Sequence, residues 1–408
     1  MERMKVAFLT NGTSPVPATK GGAVENLIED LLDENEKRHG FDFTVFSLYE
    51  EKAKQQSKKY KNTNFYFVNP PKMIDCLDKG IYCIAKKILK KKNLISYRYI
   101  LRRLYVMSRF PKILLENNFD RLVLVTNSTL FFVLKDKKVA QKYENKTIYY
   151  LHNEVRSLFG CEKEAASIRY LIGISEFVND SFRKQVPALK KEQCYVLKNG
   201  IDTVKFTTRD ERKIKEYKNK YGITEKDFVV VFAGRLVDEK GALETIRAIK
   251  SCNDEHIKLL IVGAGFYSSD IVDDYALELQ KEAEYIKDRI IFTGYIDYND
   301  MPSIYQLGNI AVLPSMWEEP AGMTMVEAVV SGLPLITTNS GGIPEYISDD
   351  VAVLLDRDEN LVDNIRDTIV KIKEHPMEYD YIKKSRDKFM EKYKLDKYYN
   401  DFASIIMR

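Results

Sequence analysis

Short apolar runs alternate with amphipathic segments along most of the chain. Runs such as KVAFLT, FTVFSL and RLVLVT in the first half, and FVVVFAG, KLLIVG and IAVLPS in the second, are short, β-branched and apolar on both faces. That pattern is typical of parallel strands buried between two layers of helices. About six such runs precede residue 200 and about six follow it. The sequence therefore predicts an α/β protein with two doubly wound, Rossmann-like domains.

The length of the chain fits this division, because 408 residues exceed what one ordinary hydrophobic core accommodates. A basic stretch that contains proline, RKQVPALKKEQC, lies between a predicted helix and a predicted strand and is the best candidate for the boundary. We expect a first domain over residues 1–187, a second over 188–388, and a helix over 389–408 that returns to the first domain.

The composition excludes several classes of protein. With 45% hydrophobic and 30% charged residues, the chain reads as a soluble globular protein, and its net charge of only +4 says little about partners. We expect no secretory leader at its start and no membrane-spanning segment, because the apolar runs are too short. The five cysteines form no C-x-x-C pair, which favours reduced thiols in a cytosol. The four histidines also lack the spacing of zinc ligands.

One segment departs from the average charge. The stretch Lys79–Leu115 contains eleven Lys or Arg residues and no Asp or Glu. Apolar residues recur at helical spacing from Ile81 to Ile88, so one interpretation is a basic amphipathic helix on a membrane surface. The alternative is a solvated pair of surface helices; nucleic acid would need a larger basic field. The cations assigned to the membrane surface are Lys86, Lys87, Lys90, Lys91 and Lys92.

Two stretches that follow predicted strands are candidate anion sites. Gly21 and Gly22 stand just ahead of a helix, where glycines let the backbone approach an anion, although an ordinary strand-to-helix turn has the same sequence. Arg235 directly follows a hydrophobic strand and Lys240 comes five residues later. Both are expected at the carboxyl end of a parallel sheet, where two cations suit a diphosphate. Solvated loop cations are the alternative.

The stretch EEPAGMTMVEAVVSG places one carboxylate, Glu319, in a loop and a second, Glu327, inside the following helix. The free N–H groups at the start of that helix form another anion site. A nucleoside diphosphate sugar has hydroxyls on both sides of its diphosphate, so Glu319 suits the sugar and Glu327 the ribose. Alternatively, each carboxylate is present only because the positive end of the helix dipole stabilises it. This alternative explains Glu319, just before the helix, but not Glu327, which lies inside it.

A single histidine, His152, ends the apolar run YYLH. A histidine at the end of a strand is usually a structural residue with satisfied hydrogen bonds. The same position is also suited to reach a sugar held at the edge of the sheet.

The ordered set of motifs resembles a known family. In chain order it comprises the paired glycines, His152, GISEF, KNGID, GRLVDEKG, GYI, EEPAGMTMVEA and GGIPE. This set resembles the retaining nucleotide-sugar glycosyltransferases of family 4, which have the GT-B fold, and among them the bacterial enzymes of cell-surface and capsular polysaccharide synthesis. The likeness covers nearly the whole chain, although residues 50–145 carry no distinctive motif.

The resemblance implies a role for each motif. Two cations bind the diphosphate without a metal or other cofactor, Glu319 holds the donor sugar, Glu327 holds the ribose, and His152 contacts the sugar near its C6 side. Gly22 packs against the donor phosphates. The residues with implied catalytic roles are His152, Arg235, Lys240 and Glu319. The residues with implied donor-binding roles are Gly21, Gly22, Gly234, Tyr295, Ile296, Gly322, Met323, Thr324 and Glu327, with the base received by the backbone around Tyr295 and Ile296.

The resemblance also implies the overall function. We expect two domains that face a cleft, with the acceptor on the first and the nucleotide sugar on the second. The expected reaction is retaining transfer of a sugar from UDP to a glycan or lipid-linked acceptor, at the cytoplasmic face of the membrane. A nucleotide-sugar epimerase or hydrolase, and a catalytically silent binding subunit, are the alternatives. Ala321 stands where many relatives carry an aromatic residue, which leaves the identity of the sugar open.

Overall fold

The computed structural model of the protein describes residues 3–88, 99–263 and 274–408. The chain divides into two compact units, which we call the first and second domains. The first comprises Met1–Gly200 together with Leu395–Arg408, and the second comprises Ile201–Lys394.

The first domain is built on a parallel sheet. Its described residues form seven strands: β1 (Met4–Leu9), β2 (Phe41–Leu48), β3 (Thr63–Val68), β4 (Arg121–Val125), β5 (Thr147–Leu151), β6 (Tyr170–Gly173) and β7 (Cys194–Val196). Their order is β3-β2-β1-β4-β5-β6-β7, and each pairs in parallel with its neighbours. The order reverses between β1 and β4, and open α/β sheets bind ligands at such a switch point.

The second domain repeats this plan. Its described residues form six strands: β8 (Phe228–Ala233), β9 (Ile257–Val262), β10 (Ile290–Gly294), β11 (Ile310–Leu313), β12 (Leu335–Thr338) and β13 (Ala352–Leu355). Their order is β10-β9-β8-β11-β12-β13, again parallel throughout, with the switch point between β8 and β11. The prediction of two doubly wound α/β domains is confirmed.

Helices connect the strands in both domains. In chain order they are α1 (Ala23–Arg38), α2 (Glu51–Ser57), α3 (Lys72–Ile88), α4 (Ile100–Glu116), α5 (Lys137–Lys142), α6 (Glu162–Ala166), α7 (Glu176–Gln185), α8 (Thr203–Thr207), α9 (Glu211–Tyr221), α10 (Ala242–Ser251), α11 (Asp274–Ala283), α12 (Met301–Tyr305), α13 (Met323–Val330), α14 (Ile343–Tyr346), α15 (Leu361–Glu374), α16 (Asp380–Glu391) and α17 (Leu395–Ile406). Short 3-10 helices cover Ser128–Lys135, Lys191–Gln193, Asp238–Lys240, Glu284–Arg289 and Pro376–Tyr379.

Two of the motifs begin helices. Ser175 of GISEF accepts a hydrogen bond from the Val178 N–H and caps α7, and Asp202 of KNGID accepts one from the Lys205 N–H and caps α8. Such caps are worth about 1 kcal/mol each. These motifs therefore have a local structural role.

The boundary between the domains lies later than the predicted 187/188. The proline-containing stretch connects the end of α7 to β7 within the first domain, because β7 pairs with β6 and so belongs to the first sheet. At the other end, residues 389–394 stay with the second domain rather than with the returning helix. Tyr393 is buried there, and its hydroxyl donates to the Tyr346 carbonyl at 2.5 Å.

Helix α17 packs in the first domain. The Phe402 ring stacks on Phe8 of β1 with centroids 5.7 Å apart. The Tyr398 and Tyr150 hydroxyls are 2.8 Å apart, and the Tyr399 hydroxyl donates to Asn35. A buried aromatic side chain contributes about 2 to 3 kcal/mol, so this helix supplies a substantial part of the core.

Candidate functional site

The switch point of the second sheet carries the predicted cations. Arg235 follows β8 and is exposed, and Lys240 ends the 3-10 helix Asp238–Lys240 in the same loop. Glu319 lies in the loop after β11, which is the strand beside β8. Loops that are distant in sequence thus meet at the edge of the sheet where ligands bind in this class of fold.

Lys240 and Glu319 form an ion pair. The Lys240 Nζ lies 2.5 Å from the Glu319 Oε2 atom. The same oxygen accepts hydrogen bonds from Trp317 Nε1 at 2.8 Å and from Ser315 Oγ at 3.3 Å. The Lys240 ammonium is also 5.7 Å from the centre of the Trp317 ring. The carboxylate is therefore oriented by three donors and kept beside a cation.

Glycines allow the loops after β8, β11 and β12 to approach closely. A Cβ on Gly241 would lie 2.0 Å from the Pro314 carbonyl oxygen, and one on Gly341 would lie 2.5 Å from the Glu319 carbonyl oxygen. Both residues have positive φ, which glycine adopts without strain. The Gly342 N–H donates to the Glu319 carbonyl at 2.7 Å. The GGIPE motif thus supports the backbone of Glu319.

Helix α13 begins beside this ion pair. Its N-cap, Gly322, has a φ of 76°, and a Cβ there would lie 2.7 Å from the Met325 sulfur. Met323 and Thr324 form the first turn and are partly exposed. The first N–H groups of a helix have no partner within the helix and favour an anion.

Glu327 lies in the same helix and is buried, with 8% of its surface exposed. The Tyr305 hydroxyl donates to its Oε2 atom at 3.2 Å. Burial raises the pKa of Glu327 to about 7, although hydrogen bonds from Tyr305 and Tyr298 and the charge of Lys205 act in the opposite direction. Glu327 is therefore a carboxylate that changes its protonation state near neutral pH.

The neighbouring strands β8, β9 and β10 end close together. A Cβ on Gly263 would lie 1.9 Å from the Gly234 carbonyl oxygen, and the Gly263 N–H donates to the Gly294 carbonyl at 3.2 Å. Tyr295, directly after β10, is exposed, and Ile296 is half-buried. The residues predicted to receive the base thus follow the outer strand of the same edge.

In the first domain, His152 directly follows β5 and is buried. Its Nδ1 atom is 2.7 Å from the Thr126 hydroxyl, and Nε2 has no hydrogen-bond partner among the residues that the structure describes. Burial lowers the pKa of His152 to about 3, against a hydrogen bond to the Tyr150 backbone that raises it. The imidazole is therefore neutral at pH 7.

A cavity of about 210 Å³ lies at the switch point of the first sheet, with Thr10 and Thr126 among its lining residues. Glu25 of α1 also lines it, and burial raises the pKa of that carboxyl group. Gly21 and Gly22 precede α1, and a Cβ on Gly22 would lie 2.3 Å from the Glu25 Oε2 atom. Gly22 therefore leaves room for the Glu25 carboxyl group, and the space beside Gly21 is open to a ligand.

Of the five lysines assigned to a membrane surface, the structure describes only the backbone of two. Lys86 and Lys87 belong to α3, but their side chains lie outside what the structure describes, and Lys90, Lys91 and Lys92 lie outside the described residues altogether. In the described part of the chain no helix is long and apolar enough to cross a membrane. The same residues contain no group of three or more His, Cys, Asp or Glu side chains arranged to hold a metal ion.

Residues 213–389, most of the second domain, match the family described as Glycosyl transferases group 1. The second domain is a group 1 glycosyltransferase domain. The resemblance expected from the ordered motifs is therefore confirmed for the family.

Several known proteins resemble the chain over most of its length. It is 27% identical to the putative glycosyltransferase YtcC of Bacillus subtilis, over 86% of this chain and 79% of that protein. Spore coat protein SA of the same organism is 23% identical over 85% of this chain and 84% of that protein. The crystal structure of Anabaena HepE in complex with UDP has a TM-score of 0.73 at 17% identity, covering 99% of this chain and all of that one. At that identity the last likeness shows the fold alone.

The sequence did not single out three residues that contact or line the candidate sites of the two domains. Trp317 holds Glu319, and its only signal was that it is the single tryptophan of the chain. Tyr305 lies 22 residues before Glu327 in the sequence and donates a hydrogen bond to its carboxylate. Glu25 follows the paired glycines by three residues, and nothing in that pattern indicates its burial.

Proposed function

We propose that the protein is a retaining glycosyltransferase that moves a sugar from UDP to a glycan or lipid-linked acceptor. The observation that carries the proposal is the meeting of Lys240, Glu319 and the start of α13 at the switch point of the second sheet. A cation, a carboxylate and free helix N–H groups at one edge are suited to a diphosphate that carries a sugar. The UDP present in the HepE crystal structure supports the choice of nucleotide.

The second domain binds the donor in this proposal. Arg235, Lys240 and the N–H groups of Met323 and Thr324 take the diphosphate, where negative charge develops as the sugar departs. Glu319 accepts hydrogen bonds from sugar hydroxyls, and the deeper Glu327 accepts them from the ribose. The base lies against the backbone around Tyr295 and Ile296, with Gly234 leaving room beside the phosphates.

The chemical step breaks the bond between the anomeric carbon and the diphosphate oxygen. The acceptor hydroxyl forms its bond to that carbon on the same face, and its proton passes to the departing phosphate. In this scheme protein cations stabilise the leaving group, so no metal ion is required. Glu319 positions the sugar and forms no covalent bond with it.

The first domain holds the acceptor in this proposal. The cavity between β1 and β4 offers hydroxyl side chains and the Glu25 carboxyl group, which suit the hydroxyls of a glycan. Gly21 and Gly22 pack against the donor phosphates. The neutral His152 uses its Nε2 atom for a hydroxyl near C6 of the donor sugar.

We further propose that the protein works at the cytoplasmic face of a membrane in cell-surface polysaccharide synthesis. Exposed Met73, Leu77 and Ile84 recur at helical spacing along α3, so the helix offers apolar contact beside the basic segment. A relative in Salmonella typhimurium, 23% identical over 57% of this chain, is named lipopolysaccharide 1,2-N-acetylglucosaminetransferase, which supports a lipid-linked acceptor.

The test is incubation of the full chain with a panel of nucleotide sugars and lipid-linked acceptors, with and without a chelator. Mass spectrometry and NMR of the products should show a new glycoside with the anomeric configuration of the donor, formed equally in the chelator. Inversion, or activity that needs added magnesium, would contradict the mechanism. Free sugar without a glycoside would favour a hydrolase, and an epimer of the donor would favour an epimerase. Binding of the donor without turnover would favour a catalytically silent subunit.

A further inference from the structure

The Tyr305 hydroxyl lies between two acceptors. It is 3.2 Å from the Glu327 Oε2 atom and 3.2 Å from the Thr324 carbonyl oxygen. A hydroxyl group has one proton, so it donates to one of these oxygens at a time. When Glu327 is ionised, the phenol donates to the carboxylate. When Glu327 is protonated, the carboxyl group donates to the phenol oxygen, and the phenol donates to the carbonyl.

This geometry satisfies a buried carboxyl group in both of its protonation states. Tyr305 is fully buried and Glu327 almost so, and an unsatisfied polar group at such a position would be costly. The ring of Tyr305 is fixed by packing near Phe206, with ring centroids 6.3 Å apart. The hydroxyl is therefore held in place by the core of the domain.

We propose that Tyr305 is the positioning residue for Glu327: its hydroxyl holds the ionised carboxylate in the orientation that accepts hydrogen bonds from the donor's ribose. The inference rests on the proposed function, because it assigns the ribose to Glu327. Tyr305 itself does not touch the donor.

Three groups that can titrate or carry charge face Glu327 from the elements around it. Tyr305 comes from α12, Tyr298 from the turn before α12, and Lys205 from α8. The Lys205 ammonium also lies 4.2 Å from the centre of the Tyr298 ring. Each of these groups lowers the pKa of Glu327, whereas burial raises it. Loss of the Tyr305 hydroxyl should therefore raise that pKa further.

The consequence is a pH dependence of donor binding. Hydrogen bonds to an ionised carboxylate are roughly twice as strong as those between neutral groups. Donor affinity should therefore fall as Glu327 becomes protonated below neutral pH. Without the Tyr305 hydroxyl, the pH at which half of this affinity is lost should move upward.

The experiment compares Tyr305→Phe, Glu327→Gln and the parent protein as full chains. Binding of UDP-glucose and of GDP-mannose is measured by calorimetry without acceptor, from about pH 6 to about pH 9, because all nucleoside diphosphate sugars share the ribose. Tyr305→Phe should weaken binding by roughly tenfold at pH 7 and shift the pH midpoint upward. In turnover assays KM for the donor should rise more than kcat falls. Glu327→Gln should weaken binding and abolish the pH midpoint.

Tyr393→Phe is the matched control, since it also removes a buried hydroxyl of the second domain, one that donates to the Tyr346 carbonyl. It should leave the pH midpoint unchanged, and its thermal unfolding shows what loss of a buried hydroxyl costs in stability. Titrations are interpreted at a temperature at which each variant is folded by circular dichroism.

The outcomes separate the two proposals. If Glu327→Gln weakens binding and Tyr305→Phe, while folded, matches the parent in affinity and pH midpoint, the inference is overturned and the proposed function stands. If Glu327→Gln binds both donors normally, the assignment of the ribose is wrong and the inference fails with it. Failure of the parent protein to bind either donor would overturn the proposed function.

Discussion

Single side chains determine the chemistry at the edge of the second sheet. Lys240 has two roles there, because the ammonium that is proposed to bind the diphosphate also pairs with Glu319. Arg235 is exposed in the same loop. We therefore expect replacement of either residue to lower turnover, and loss of the Lys240 ammonium also to remove a partner of Glu319.

We expect Arg235→Ala and Lys240→Ala each to lower kcat/KM by roughly a hundredfold, the effect of losing one group that stabilises developing charge. Lys240→Ala should also lower the free energy of unfolding by about 1 to 3 kcal/mol, since Glu319 loses a charged hydrogen bond. Steady-state kinetics and urea unfolding provide both measurements. Near-normal turnover in either variant would show that the replaced cation is a solvated loop residue without a role in the reaction.

His152 should make the protein sensitive to acid. Its folded-state pKa of about 3 lies below the ordinary value of about 6.5, so its contribution to stability is present above pH 6.5 and is lost as the pH falls toward 3. We expect the free energy of unfolding of His152→Gln to fall less over this range, by on the order of a few kcal/mol. Urea titrations at several pH values test this, and equal slopes for the two proteins would contradict it.

At the scale of elements, the loops after β8, β11 and β12 approach closely at the edge where the donor is proposed to bind. Gly341 is a position at which this approach does not tolerate a side chain, because its neighbour is the backbone of Glu319. A side chain there cannot be accommodated by rotating a flexible group.

We expect Gly341→Ala to raise KM for the donor several-fold and to lower the free energy of unfolding by more than about 1 kcal/mol. Gly222→Ala is the matched control: its φ of 61° is close to the 55° of Gly341, but nothing lies within 4 Å of its added Cβ. The control should show the backbone strain without the change in KM. Equal effects of both substitutions on KM would contradict a role for the loop contact.

Helix α3 and the segment after it carry the membrane prediction. The net positive charge of this region is smaller than the acid-free stretch suggests, because Arg102 pairs with Asp75 at 2.5 Å. Asp78 also lies there and accepts hydrogen bonds from the first N–H groups of α4. The acid-free stretch is therefore partly neutralised by carboxylates that precede it in sequence. The lysines from Lys86 to Lys92 remain the expected source of attraction.

We expect replacement of Lys86, Lys87, Lys90, Lys91 and Lys92 by glutamine to lower co-sedimentation with anionic vesicles, at about 1 kcal/mol per nearby cation. Added salt should weaken binding of the parent protein, because it screens exposed charges. Hydrolysis of the donor should be unchanged. Equal co-sedimentation of both proteins would leave the segment as a solvated face. The charge-matched control replaces exposed lysines of the second domain, Lys215, Lys226, Lys281, Lys371 and Lys388.

Structure that leaves a repeating pattern in the sequence could be predicted, whereas structure that depends on a single contact could not. Buried parallel strands leave a continuous apolar run, so both sheets and the residues at their carboxyl ends could be predicted. The domain boundary could not, because β7 is a half-buried strand of three residues that only its pairing with β6 assigns to the first sheet. The role of Tyr305 depends on a contact across 22 residues, and a tyrosine in an apolar segment carries no sign of it.

At the scale of the whole molecule, the two domains differ in continuity. The second is one stretch, Ile201–Lys394, whereas the first needs Leu395–Arg408 to complete it. The chain therefore passes between the domains twice, after Gly200 and after Lys394. The two ends of the second domain are adjacent, because the Ile201 N–H donates to the Tyr393 carbonyl at 2.7 Å.

We expect a protein that ends at residue 394 to keep a folded second domain and to lose the first, because Phe8 and Tyr150 would be uncovered. Calorimetry should show one of two unfolding transitions missing, and UDP-glucose should still bind the truncated chain. The isolated fragment 201–394 is the control and should unfold cooperatively by itself. A truncated protein that retains both transitions would show that α17 is dispensable for the first domain.

This discontinuity also sets an order of events during synthesis. Residues 1–200 leave the ribosome first, but the helix that covers their aromatic surface is made only after the whole second domain. At about 5 to 20 residues per second, that delay lasts about 10 to 40 seconds. During this time the nascent first domain exposes Phe8 and its neighbours to chaperones and to other nascent chains. A premature stop just before residue 395 would release a chain with a complete second domain and a first domain that permanently lacks α17.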